Sequence, residues 1–231
     1  MSALSAPDRH RLPPTSTALH LQPRRRLADD RLTAGEAASP RAGGRFASPL
    51  LDPYGPALRQ IAGLGGDWAD ATIAVALPAG EAWPAHLIAC VSAALACSGL
   101  PATRLDLVLP EAVLSDIDSD ALLALSALRD IGVGLCIDGF GAGLGGLTLL
   151  KRLPLTSLKL ARTLVRSLPD DREDAAIVRA VIATAQAIGL IVIGDGIETE
   201  AQRAFLAHCG CDEGQGTLFG PSLAFACALA A

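Results

Sequence analysis

Several things are missing from this 231-residue sequence, and each absence closes off a class of protein. Excess positive charge is the first. With 19 Lys and Arg against 24 Asp and Glu, the formal net charge is −5. No general affinity for nucleic acid is expected, and a nucleotide ligand would need a local cation. A disulfide framework is absent too. Cys90, Cys97, Cys136, Cys209, Cys211 and Cys227 are scattered through core-like segments, as free thiols in a reducing cytoplasm would be. Cys209 and Cys211 lack a second pair or a suitable histidine, so buried thiols are the better reading than a metal pair. No apolar run is long enough for a bilayer. Residues 82–103 contain no Asp, Glu, Lys or Arg, but Pro84 and Gly99 limit the helix to about 14 residues, short of the ~20 that a span needs. Residues 180–194 are similarly uncharged and are divided by Gly189. The amino terminus has no apolar core of the signal-peptide kind. A cytoplasmic protein with no membrane span is expected.

What is present is a well-buried core, with 51% hydrophobic and 19% charged residues. Residues 1–16 have no periodicity and read as a disordered tail; residues 17–231 read as a single domain. Short apolar runs alternate with helical patterns, as buried parallel strands do. Strands are expected at Leu19–Pro23, Thr72–Leu77, Leu105–Leu109, Val133–Ile137, Leu155–Leu158 and Leu190–Ile193, with a short one before Gln215. The run Arg24-Arg25-Arg26 reads as a solvated turn. A short helix is expected near Pro56–Leu64, and others over Pro84–Cys97 and Gly143–Arg152. Another follows the capping residues Asp118 and Ser119, with Leu122, Leu125, Leu128 and Ile131 on one face. A further helix starts at Pro169-Asp170-Asp171 and stops at Gly189. Thr199-x-x-Gln202 has capping-box spacing, which gives Gln202 a structural role.

Polar residues are kept for the strand ends: Asp138-Gly139-Phe140-Gly141, Lys159-Leu160-Ala161, Gly194-Asp195-Gly196-Ile197-Glu198-Thr199 and Gln215-Gly216-Thr217-Leu218-Phe219. In order and spacing these resemble the motifs of the EAL family of cyclic di-GMP phosphodiesterases. Leu21-Gln22-Pro23 is similar to that family's opening strand, and Gly35-Glu36-Ala37-Ala38 to its name-giving motif. The resemblance implies an α/β fold, a modified TIM-type (β/α)8 barrel with an antiparallel first strand, over 17–231. In such a barrel the strands' carboxyl ends meet at one mouth, so Asp138, Lys159, Asp195, Glu198 and Gln215 should converge.

The family's chemistry, as the resemblance implies it, uses two divalent ions held by oxygen ligands. Glu36 and Asp138 retain that chemistry, and Asp195 stands in for a Glu. Ala76, Val108, Gly139 and Ala161 occupy positions where the family carries an Asn or an acid. Pro40 takes the place of a phosphate-binding arginine, with Arg41 one place late. From these losses a degenerate member is expected: no catalytic residues, Glu36, Asp138, Lys159, Asp195 and Glu198 as remnants, and no metal cofactor. It would be a non-hydrolytic receptor or protein-interaction regulator in bacterial cyclic di-GMP signalling. Gln22, Glu36, Lys159, Glu198 and Gln215 would bind cyclic di-GMP, and a protein partner or self-association would carry the output. The alternatives are an active phosphodiesterase using Mg or Mn, and an interaction module that binds no nucleotide.

Gly141-x-Gly143-x-x-Gly146 matches a dinucleotide fingerprint. The acid expected roughly 20 residues on is missing, so a tight turn and close helix packing explain these glycines better.

Overall fold

A computed structural model of the chain describes residues 19–38, 58–59, 62–77, 87–111, 117–141 and 150–225. The strands are β1 (Leu19–Arg26), β2 (Leu32–Ala38), β3 (Thr72–Ala76), β4 (Leu105–Pro110), β5 (Gly134–Phe140), β6 (Ser157–Leu160), β7 (Ile191–Asp195), β8 (Glu213–Gln215) and β9 (Leu223–Phe225). The α-helices are α1 (Leu87–Ser98), α2 (Ser119–Asp130), α3 (Arg162–Arg166), α4 (Arg172–Ala187) and α5 (Glu200–His208). A parallel ladder runs from β2 through β8. β1 is antiparallel and closes the ring, bonded to β2 on one edge and to β8 and β9 on the other. This is the TIM-type barrel with a reversed first strand.

Closure removes every edge from the eight-stranded ring. Alternation then divides the side chains into two sets. Outward residues such as Ile73, Leu107, Leu135, Leu158 and Val192 join the helices in the large apolar layer. Inside, Ala74, Val108, Cys136 and Ile193 form a small apolar cluster of their own, with Ala76 against it. Polar residues lie above and below this plug.

Local chemistry sets the helix ends. Asp118 caps α2 by accepting the Ala121 N–H at 2.8 Å, and Asp171 caps α4 through the N–H groups of Glu173 and Asp174. Thr199 and Gln202 form a complete capping box on α5, and Gln202 Nε2 also donates to the Arg166 carbonyl. α2 stops at Asp130, so Ile131 leaves the buried face and is 45% exposed, while Leu125 and Leu128 are fully buried.

One expectation is wrong at the start of the chain. The three arginines are not a turn: β1 continues through Arg26, because its second half must reach β8 to close the ring. Arg24 is consequently 5% exposed. The expected helix at Gly143–Arg152 and much of that at Pro56–Leu64 lie outside the described residues, as do Pro40 and Arg41. Cys90, Cys97, Cys136, Cys209 and Cys211 are free thiols. Among the described residues no helix is long and apolar enough to cross a membrane.

Candidate active site

The carboxyl ends of the parallel strands bring Asp138, Lys159, Asp195 and Gln215 to one rim with Glu36. Lys159, at 1% exposure, projects from β6. Its ammonium contacts Glu36 of β2 and lies 3.5 Å from Asp138 Oδ1 of β5. Burial acts against the ammonium, but the two carboxylates outweigh it and hold the Lys159 pKa above its ordinary value. Lys159 therefore stays charged. Burial also works against an ionised Glu36; the charge and hydrogen bond of Lys159, with help from Gln215 and Arg24, hold its carboxyl below the usual range. Asp138 behaves oppositely. Burial raises it, and the negative charges of Glu36 and Asp195 add to that against the pull of Lys159.

Gln215 hydrogen-bonds Glu36, yet its Oε1 is buried without a partner. Gln22 stands beside Glu36 in the β1–β2 ladder. Asp195 ends β7, paired in register with Gln215, and its Oδ1 is 3.4 Å from Arg162 Nη2. Gly196 makes that approach possible: it has φ +77, and a Cβ there would lie 2.5 Å from Arg162 Cγ. Glu198 is on the turn after β7 with an exposed side chain. Ala161 is buried at the start of α3. Ala76 and Val108 pair across β3 and β4 as part of the apolar plug, and Gly139 has φ +73 inside β5, where the register with β6 shifts.

Arg162 is a functional candidate that the sequence reading passed over. Its signal was its place three residues after Lys159, at the start of a helix beside the rim. Arg24, Asp106 and Glu213 were also missed, because only ring closure brings them together.

Residues 57–222 match the model of the EAL domain, and the chain belongs to the EAL domain family. It is 40% identical over 158 residues, 68% of its length, to the bifunctional diguanylate cyclase/cyclic di-GMP phosphodiesterase MucR of Pseudomonas aeruginosa, of which it spans 23%. The solved MucR phosphodiesterase in complex with cyclic di-GMP superimposes with a TM-score of 0.76 at 34% identity, over 90% of this chain and 92% of that one. The EAL domain of Mycobacterium smegmatis DcpA gives 0.79 at 28% identity, over 92% and 93%. Klebsiella pneumoniae BlrP1, in a calcium and cyclic di-GMP complex, gives 0.79 at 25% identity, over 95% of this chain and 58% of that one.

These likenesses correct three expectations: that the module is a non-hydrolytic receptor or regulator, that it is not an enzyme, and that it takes no metal. Those expectations rest on the oxygen ligands absent at Ala76, Val108, Gly139 and Ala161 being too many for water to replace. Hard cations such as magnesium keep several waters and need only one or two carboxylates once substrate phosphates are present. The lack of a side-chain oxygen at Ala76 and Val108 therefore does not exclude metal-assisted chemistry.

Proposed function

We propose that this chain is a cyclic di-GMP phosphodiesterase that requires a divalent cation. The observation that carries the reading is the rim itself: a buried ammonium drawn between Glu36 and Asp138, with Asp195 electrostatically coupled to the latter. The likeness to MucR, whose solved complex holds cyclic di-GMP, supports it.

The donor set suits a hard cation. It consists of carboxylates and one orphaned carboxamide oxygen, Gln215 Oε1. Among the described residues no three acidic, histidine or cysteine side chains are grouped closely enough to enclose an ion alone. Glu36 and Asp138 would hold the cation, with water and phosphate oxygens completing its shell. When bound, it activates water and neutralises charge developing on the phosphate.

The chain's own groups do the rest. Lys159, permanently charged, faces a non-bridging phosphate oxygen and offsets the negative charge added as water attacks phosphorus. Asp195 accepts the proton of that water, with Arg162 fixing its orientation. The P–O3′ bond breaks, the 3′ oxygen takes a proton from solvent, and the ring opens to a linear dinucleotide. Gln22, Glu198 and Gln215 offer hydrogen bonds to guanine edges and ribose.

The test is chromatographic. With manganese or magnesium, the purified chain should convert cyclic di-GMP to the linear dinucleotide, and EDTA should stop it. Asp138→Asn should slow turnover by at least ~100-fold, beyond the loss typical of an outer partner. Intact cyclic di-GMP after prolonged incubation with either metal would overturn the reading.

A further inference from the structure

The amino end of the barrel, opposite the rim, holds a cavity of about 250 Å3. The segments entering the strands there, 27–31, 69–71, 99–104, 131–133, 150–156, 188–190 and 209–212, all lie among the described residues. Arg24 forms its wall. The guanidinium is clamped between Asp106, at 3.0 Å, and Glu213, at 2.8 Å. Its Nη1 is buried without a hydrogen-bond partner. The Ser157 hydroxyl, on the same wall, is buried against the Cys136 thiol. Leaving Arg24 Nη1 unmatched costs about 1–3 kcal/mol, so this is a place where a hydrogen-bonding guest is favoured.

The charges select its class. Arg24 and Arg129 on the wall are balanced by Asp106 and Glu213. An anion would approach two carboxylates, and a cation two guanidiniums; neither gains. An uncharged molecule with an acceptor oxygen for Arg24 and hydroxyls for Ser157 and Thr72 meets every demand. The volume falls just under the roughly 300–1,000 Å3 of pockets for drug-sized ligands, which suits a guest the size of one sugar ring. We propose that the barrel's amino end is a second ligand site, separate from the phosphodiesterase rim, for a small neutral polyhydroxylated molecule of monosaccharide size.

Saturation-transfer NMR on the whole chain, with ribose, glucose and inorganic phosphate as probes, tests this. A saturable signal for a neutral sugar at millimolar concentration is expected, unaffected by excess cyclic di-GMP. Ser157→Ala combined with Thr72→Val keeps the volumes and β propensity and leaves Arg24 and its ion pairs in place, so it should fold. It should raise the sugar's Kd about tenfold, the loss of one or two hydrogen bonds. Arg24→Met should abolish binding; if it fails to fold, the double variant decides. Binding of phosphate in place of sugar overturns the ligand class, and competition by cyclic di-GMP overturns the location. Absence of any sugar signal, an unchanged Kd in the double variant, or a ribose-soaked crystal with only water in the cavity overturns the site.

Discussion

Lys159 is the residue on which the candidate site turns, and its position has a measurable consequence. Removing one partner of a buried ion pair typically costs about 3–5 kcal/mol, because the other charge is left uncompensated. Here the carboxylates keep some contact with water, Glu36 at 20% and Asp138 at 41% side-chain exposure, so roughly 1–3 kcal/mol is the better expectation. Lys159→Met should lower the urea midpoint of the metal-free protein by that amount near neutral pH. Glu36 is held below its ordinary value, so its contribution is present above the unfolded-state pKa and is lost as pH falls through the folded one. The gap between wild type and variant should therefore narrow on acidification. A gap that stays constant would mark the loss as one of packing alone. Spacing put Asp138, Lys159, Asp195, Glu198 and Gln215 at one mouth because each follows an apolar run; the structure brings Asp138 and Lys159 together with Glu36 and leaves Glu198 exposed beyond β7. Spacing could not rank them: burial, and the opposite pKa directions of Glu36 and Asp138, depend on neighbours brought in from other strands.

Helices show the opposite balance, since their ends are set by residues within one turn. Asp171 satisfies two orphan N–H groups of α4, at 2.9 and 3.0 Å. Asp171→Ala should cost about 1 kcal/mol, read as a lower thermal midpoint with phosphodiesterase activity retained at low temperature. Thr199→Ala should behave alike on α5, where the capping box is complete. If either variant lost activity without losing stability, the cap would have a role at the rim. These caps were legible in the sequence. The far end of α2 was not: the pattern carried its apolar face to Ile131, but the helix ends one residue earlier.

At the scale of the whole molecule, closure is the decisive feature. The family model matches 57–222, yet β1 and β2 lie before that range and complete the ring. A fragment beginning at residue 57 would expose the edges of β3 and β8, open the apolar plug to water, and strip Asp106 and Glu213 of Arg24. It should be insoluble, or lack a cooperative unfolding transition by circular dichroism. A soluble, cooperatively folding fragment would show that the parallel strands suffice without their antiparallel partner.

The sequence by itself determined what is periodic or local: the strand–helix alternation, the helix caps, and the acids and lysine at the strand tips. Only the tertiary structure decided what depends on which strands become neighbours. Arg24 reads as one of three solvated charges until β1 is placed against β8, and then it is a buried cation clamped by Asp106 and Glu213. The reason is geometric. Alternation along a strand says which residues share a face, but whether that face looks inward is settled only when the last pair of strands closes the barrel.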